Sequence, residues 1–284
     1  QCPACLLRLA AGGAPPPPTT DLEDSWRPMD CDDFVVAERL GEGPRGVVYR
    51  AEQPGIGRPV ALKFFSAGGR WHPQLAAAAD RLGSVEHPAL APVFAVGLNC
   101  GRPYVMMPLA AGGNLRRQLA GEAPPAELVL RLGAVLAGAV AAAHRAGLVH
   151  GRLTPANVLF DAEGYPALSD FVCAGLPGAQ DAGNDADLEF LAPELAAGGG
   201  APPAADISSL GALLRHVLRH AQPAAEDREL VAGLAAVARH CLEPSPANRP
   251  ASAAQVGAAL EFWLNPLPVR PSGPAGPEDT VAWA

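Results

Sequence analysis

Hydrophobic residues follow two different patterns in the two halves of the chain. Between about residues 34 and 109, short runs of β-branched and aromatic residues are separated by glycine and proline, which is typical of β-strands. This pattern predicts four strands, at 34–36, 46–50, 60–65 and 104–107. One helix is predicted among them, at 73–82. The first half is therefore expected to be a small sheet with one helix.

Beyond Gly113 the pattern changes to long stretches of alanine and leucine with helical spacing. The first predicted helix, 126–146, begins after Pro124 and Pro125, which suit a helix entrance. Three more helices are predicted at 206–220, 225–241 and 251–263. A β-rich half followed by a larger helical half indicates an α+β fold.

The two ends of the chain differ in composition from the middle. Residues 1–30 contain a Cys-x-x-Cys pair and four consecutive prolines, which favour an extended leader. Residues 265–284 contain five prolines and are expected to form a tail. The folded domain is therefore predicted to span residues 31–264.

Composition and charge narrow the classes of function. The net charge of −8 argues against a nucleic-acid partner, because phosphate binding requires a clustered basic face. The longest apolar run, 132–143, is shorter than the roughly 20 residues of a spanning helix, so no membrane segment is expected within the chain. Six cysteines are too few for a disulfide scaffold of this length, which favours a cytoplasmic location.

A glycine-rich stretch and a single lysine are the first candidates for chemistry. Gly41, Gly43 and Gly46 fit the pattern G-x-G-x-x-G-x-V between two predicted strands, where glycine lets the backbone approach phosphates. Lys63 lies on the next strand and is the only lysine among twenty arginines. A compact ammonium at this spacing predicts a phosphate contact.

From residue 34 to 264 the chain resembles the protein kinase family, most closely bacterial Ser/Thr kinases. The resemblance is carried by motifs in the family's order: His87-Pro88, the hinge-like stretch 104–109, the catalytic-loop stretch 149–159, Asp170-Phe171-Val172, Ala192-Pro193-Glu194, Asp206 and Arg249-Pro250. It implies a two-lobed fold with an N-lobe at 32–108 and a C-lobe at 109–264.

The resemblance also implies a nucleotide site between the lobes. Lys63 and the three glycines would contact the phosphates of ATP, and Asn157 and Asp170 would bind Mg²⁺ through oxygen. A structural alternative for this last pair is hydrogen bonding within the loops. Around adenine the resemblance places Val48, Ala61, Met107, Leu109 and Leu159, and it gives structural roles to Glu194, Asp206 and Arg249.

Several positions depart from the family pattern. Arg152 stands where the family has its general-base aspartate, and Thr154 replaces the loop lysine. Arginine cannot accept a proton, and loss of a positioned base typically costs ~10²–10⁴-fold in rate. Ala78 stands at the position of the glutamate that pairs with the lysine, while Pro44 and Val172 replace residues of the glycine loop and of the D-F-G motif.

The segment that follows Phe171 carries no phosphorylation switch. Between Phe171 and Ala192 the sequence has no Ser, Thr or Tyr, and Gly151 replaces the arginine that receives the phosphate in regulated kinases. We therefore expect a pseudokinase that binds ATP and acts as a signalling scaffold or allosteric partner. One alternative is an active Ser/Thr kinase in which Arg152 clamps the γ-phosphate. Another is a nucleotide-free docking module, favoured by Ala78 and Pro44.

Cysteines and histidines complete the candidate residues. Cys2 and Cys5 form one Cys-x-x-Cys knuckle, which supplies two of the four ligands of a structural Zn²⁺ site, so zinc in the leader requires a second pair upstream. The remaining cysteines lack paired spacing and are expected to be inert. Histidines on the predicted helices, at 144, 216, 220 and 240, are interpreted as packing or surface residues.

Overall fold

The computed structural model describes residues 28, 30–43, 46–65, 73–99, 102–121, 123–171, 185–223 and 225–264. The predicted order, a β-rich half followed by a helical half, is confirmed. Predictions for the leader with Cys2 and Cys5, for Pro44, for Val172 and for the tail lie outside the described residues.

The N-terminal half is a five-stranded antiparallel sheet in the order β1-β2-β3-β5-β4. Its strands are β1 (Val35–Gly43), β2 (Gly46–Gln53), β3 (Arg58–Phe65), β4 (Ala95–Asn99) and β5 (Arg102–Pro108), and helix α1 (Pro73–Gly83) follows β3. The strand register places Val48 opposite Lys63 and Ala61 opposite Met107. Residues expected around a nucleotide therefore lie side by side on three neighbouring strands.

The two outer strands differ most from the sequence prediction. β1 was expected to end at residue 36, but it continues to Gly43 because its backbone pairs with β2 as far as Gly46. β4 was not predicted at all. Both strands lie at sheet edges. β1 is largely exposed and β4 is mostly half-buried, so neither shows the apolar alternation by which buried strands are recognised.

The C-terminal half consists of helices and one small sheet. Its helices are α2 (Leu115–Gln118), α3 (Ala126–Arg145), α4 (Pro193–Ala196), α5 (Pro203–His220), α6 (Arg228–Cys241) and α7 (Ala253–Leu264). A three-stranded sheet consists of β6 (Gly113–Asn114), β7 (Val158–Phe160) and β8 (Pro166–Leu168). Within the described residues, 3₁₀ turns lie at Pro155–Asn157, Asp185–Phe190, Ala225–Asp227 and Pro246–Asn248.

Helix α3 forms the centre of the helical half. By length and composition it could cross a membrane, but 61% of its most apolar 18-residue stretch is buried within the protein. Gly133 lets α5 approach closely, because a Cβ there would lie 2.5 Å from a methyl group of Leu214. The packing is that of a core helix in a folded domain.

A short backbone connection joins the two halves next to the site. Ala91 donates its N–H to the carbonyl of Leu168 at 2.8 Å, and the N–H of Leu168 returns a bond to Ala89 at 2.9 Å. Leu168 ends β8, two residues before Asp170. This connection therefore fixes the approach to Asp170 relative to the N-terminal half.

Candidate nucleotide site

Lys63 and Asp170 form an ion pair between the sheet and the loop after β8. The ammonium nitrogen lies 2.5 Å from carboxylate Oδ2, and the two side chains are only 13% and 9% exposed. On β3, Lys63 shares a face with Ala61 and Phe65, whereas Leu62 and Phe64 point into a separate core cluster. The alternation along β3 therefore directs the only lysine toward Asp170.

Backbone geometry at Asp170 orients its carboxylate. Among the residues that the structure describes, Asp170 is the one non-glycine with positive φ, at 70°. The loop around it is held by neighbours on both sides: Ser169 donates its N–H to Asn157 O at 2.9 Å, and the ring of Phe171 meets His150 edge-on at 4.8 Å. A left-handed aspartate costs conformational energy, so these contacts are needed to hold it.

The stretch that resembles the catalytic loop is attached to a buried carboxylate on α5. Asp206 is fully buried and accepts hydrogen bonds from the N–H groups of His150 (2.8 Å) and Gly151 (2.6 Å). The ring Nε2 of His144 lies 2.8 Å from the same carboxylate. Gly151 has φ +72°, a conformation that suits glycine. The sequence interpretation of His144 as a packing residue missed this contact.

The position of the general base is occupied by a buried arginine. Arg152 is 8% exposed, and its carbonyl accepts a hydrogen bond from the side-chain amide of Asn157 at 3.0 Å. Because Nδ2 of Asn157 is the donor, its amide oxygen is left for another partner. Thr154, at the loop-lysine position, is buried as well. Carboxylate and amide oxygens from Asp170 and Asn157 fit Mg²⁺ as ligands.

Helix α1 offers no carboxylate toward Lys63. Its buried face consists of Leu75, Ala78 and Leu82. Asp80 is its only acidic residue and lies on the exposed side. The missing helix partner of Lys63 therefore follows directly from the apolar face of α1.

The three glycines of the loop differ in their surroundings. At Gly41 and Gly43 a Cβ would meet no atom within 4 Å, which leaves room for a ligand. At Gly46 a Cβ would lie 1.8 Å from the carbonyl oxygen of Phe64, and φ is +138°. Gly46 is therefore required by the close pairing of β2 with β3, irrespective of any phosphate.

The apolar residues expected around adenine fall into two groups. Val48, Ala61, Met107 and Leu109 belong to one continuous core cluster. Leu159 is half-buried on β7, beside the fully buried Val158 of that cluster. Val48, Ala61 and Met107 are thus brought together by the N-terminal sheet, Leu109 follows the end of β5, and Leu159 is contributed by the helical half.

A second buried ion pair holds the end of the segment that follows Asp170. Arg249 donates to both carboxylate oxygens of Glu194, at 2.7 and 2.9 Å, and also to the carbonyls of Ala204, Glu243 and Pro244. The hydrogen bond from Arg249 lowers the pKa of Glu194 although burial opposes this shift. The pair joins α4 to the loop before α7.

Two acidic residues near the end of the same segment were missed by the sequence analysis. Asp187 forms an ion pair with Arg116 of α2, and Glu189 is contacted by Arg219 and by His216 of α5. The sequence feature that could have indicated them is that the stretch before Ala192 contains carboxylate side chains and no hydroxyl side chains. Their partners lie 27 to 71 residues away in the sequence, so no local pattern could identify them.

Comparison with known proteins identifies this arrangement. The family described as protein kinase domain matches residues 34–255. The chain belongs to the protein kinase family. The predicted family and the predicted two-lobed fold are confirmed, and members of this family generally use ATP and Mg²⁺.

Proteins with similar sequences include bacterial Ser/Thr kinases. The chain is 35% identical to PknK of Mycobacterium tuberculosis over 263 residues, which cover 80% of this chain and 23% of PknK. It is 33% identical to the DNA damage-responsive kinase RqkA of Deinococcus radiodurans over 231 residues, covering 74% of this chain and 32% of RqkA. The chain thus spans a third or less of these two relatives.

Solved structures agree with the sequence relatives. The kinase domain of Mycobacterium tuberculosis PknI, as a double mutant, superposes with a TM-score of 0.65 at 26% identity and covers 82% of this chain and 96% of that domain. The crystal structure of the PknI kinase domain gives a TM-score of 0.64 at 25% identity. The kinase fold therefore accounts for the greater part of the chain.

Proposed function

We propose that this protein is a pseudokinase: it binds ATP between the lobes, transfers the γ-phosphate inefficiently, and acts in the cytoplasm as a scaffold or allosteric partner of signalling proteins. The observation that carries the proposal is the Lys63–Asp170 ion pair, retained beside a buried arginine at the general-base position. Lys63 and Asp170, the charged residues that would bind the nucleotide, are retained. The carboxylate that would accept the proton is replaced by Arg152.

Nucleotide binding rests on residues of both lobes. Lys63 would exchange part of its contact with Asp170 for the phosphates, because both are anionic partners of the same ammonium. Asn157 and Asp170 would hold Mg²⁺, which neutralises phosphate charge when bound. The open space at Gly41 and Gly43 supports approach of the phosphates to the backbone.

Phosphoryl transfer is the step that the sequence weakens. Arg152 carries five donors and no acceptor, so it cannot take the proton of a substrate hydroxyl. Thr154 provides no charge for the γ-phosphate. Loss of the base alone accounts for ~10²–10⁴-fold in rate.

One alternative has support in the same site. Phosphoryl transfer depends chiefly on positioning and charge neutralisation, and the Lys63–Asp170 pair is intact, so an active kinase that uses Arg152 as a phosphate clamp is the second candidate. The buried apolar face of α1 at Ala78 supports the third, a docking module without nucleotide.

Transfer of labelled γ-phosphate from Mg-ATP separates the first two candidates. The protein is incubated with Mg-ATP alone, to detect transfer to itself, and together with a generic basic protein, to detect transfer to a substrate. The Lys63→Ala variant serves as the matched inactive control. We expect no label above that control, from protein shown by circular dichroism to be folded. Transfer that disappears in Lys63→Ala would establish the active kinase instead.

A further inference from the structure

Two histidines lie on one face at the C-terminal end of α5. His216 and His220 are separated by one helical turn, and their ring centroids are 4.6 Å apart with an angle of 41° between the planes. Both rings line a cavity of about 300 Å³ together with Arg116, Leu119, Ala120, Pro155 and Phe190. The nucleotide site uses neither histidine.

The hydrogen bonds of the two rings fix their tautomers. Nδ1 of His216 lies 2.8 Å from Oε1 of Glu189, and Nδ1 of His220 lies 2.9 Å from the carbonyl oxygen of His216. A carboxylate and a carbonyl accept hydrogen bonds, so each Nδ1 carries the proton. In the neutral rings the lone pair is therefore on Nε2.

This is the arrangement in which histidine binds a metal. Ligating imidazoles usually donate their other N–H to a carboxylate or a backbone carbonyl, which orients the ring and increases its basicity. His216 has the carboxylate and His220 has the carbonyl. Two histidines at i and i+4 on one helix can approach a single ion from the same side.

The charges around the rings do not repel a cation strongly. Arg116 is paired with Asp187, and Arg219 is paired with Glu189, so each guanidinium beside the rings has a carboxylate partner.

Within the described ranges no group of three or more His, Cys, Asp or Glu residues could hold a metal. Two imidazoles from the chain would leave the remaining coordination positions to water.

We propose that His216 and His220 bind one divalent first-row transition-metal ion, such as Zn²⁺, Ni²⁺ or Cu²⁺, through their Nε2 atoms. Imidazole is a borderline ligand that suits these ions, whereas Mg²⁺ prefers oxygen, so the site is distinct from Asn157 and Asp170. Through the bond from His216 to Glu189, the ion also stabilises the 3₁₀ turn Asp185–Phe190 against α5. The proposal does not depend on the proposed kinase function.

The test is a titration of the full chain with Zn²⁺ by calorimetry and with Cu²⁺ by electron paramagnetic resonance. Cys2 and Cys5 are replaced by serine, so that leader thiolates contribute no signal. We expect one ion per chain and hyperfine splitting from two imidazole nitrogens. His216→Ala and His220→Ala should each weaken binding at least about tenfold, and Glu189→Ala about 10–100-fold.

His240→Ala is the matched control, because His240 is an exposed histidine on the neighbouring helix α6. It should bind the ion as the parent chain does. His220 is exposed too, so His220→Ala tests the site even if His216→Ala fails to fold. Absence of binding to the parent chain, or binding that survives loss of both His216 and His220, would overturn the proposal.

Discussion

The ammonium of Lys63 lies 2.5 Å from the carboxylate of Asp170, 107 residues further along the chain. In this protein the pair joins the N-terminal sheet to the loop after β8, while α1 presents only apolar residues on its buried face. The two charges are largely shielded from solvent, so removing one of them leaves the other buried with a lost ionic partner. We therefore predict that the proposed binding of ATP is the property most sensitive to substitution of either residue.

ATP should stabilise the parent protein against heat through this pair. At an ATP concentration of 100 times Kd, binding adds about 2.7 kcal/mol to the free energy of unfolding. Lys63→Ala should abolish the ATP-dependent rise in Tm, and Asp170→Asn should abolish its dependence on Mg²⁺. Asp80→Asn, an exposed change on α1, is the control. Absence of a Tm shift in the parent chain would favour the docking module.

Restoring the two missing catalytic groups should increase phosphoryl transfer. The double substitution Arg152→Asp and Thr154→Lys provides a proton acceptor and a loop cation, and we expect transfer to rise by about 10²–10⁴-fold. Arg117→Asp makes the same change of charge as Arg152→Asp alone, but at an exposed position, and should have no effect. Transfer is measured with labelled γ-phosphate. An unchanged rate in the folded double variant would mean that other departures from the family pattern, such as Ala78, limit the reaction.

Gly151→Ala should destabilise the protein. Gly151 has φ +72° and donates its N–H to buried Asp206 at 2.6 Å, so an alanine must either adopt the left-handed conformation or lose the hydrogen bond. The left-handed conformation costs roughly 1–2 kcal/mol. Gly200→Ala is the matched control: a Cβ there meets no atom within 4 Å and φ is not in the left-handed region. Equal urea midpoints for the two variants would contradict this account.

Acid should weaken the connection between α4 and the loop before α7. The hydrogen bond from Arg249 lowers the pKa of Glu194 below its ordinary value, so the unfolded chain binds this proton more readily than the folded one. The stabilisation from the Glu194–Arg249 pair is present above the ordinary pKa of glutamate. It is lost as the pH falls through the lowered pKa of Glu194. Glu194→Gln should therefore show a shallower loss of unfolding free energy in that range.

The control for the acid experiment is Glu163→Gln, which changes an exposed glutamate that has no ion pair among the described residues. Its pH dependence should match that of the parent chain. Urea unfolding is measured from neutral pH down through the carboxylate range. If Glu194→Gln and the parent chain lose stability in parallel, the Glu194–Arg249 pair does not contribute to acid sensitivity.

The order of a β-rich half and a helical half, and the resemblance to the family, follow from the amino-acid sequence alone. Strands β2, β3 and β5 are recognisable because each contains β-branched or aromatic residues, with β3 and β5 largely buried and β2 partly buried. The long helices are recognisable because their apolar spacing is local. Lys63 was also identifiable, since a single lysine among arginines marks its position. Edge strands β1 and β4 were underestimated because β1 is exposed and β4 only half-buried, so neither needs an apolar alternation.

Which distant residues contact one another is fixed by the packing of the folded chain. Lys63 with Asp170, His144 with Asp206 and His216 with Glu189 are separated by 107, 62 and 27 residues. The role of Gly46 likewise depends on how closely β3 passes, because the carbonyl of Phe64 occupies the place of a side chain. Periodicity reports which face of an element is buried, but the partner on that face is set by the packing of distant segments.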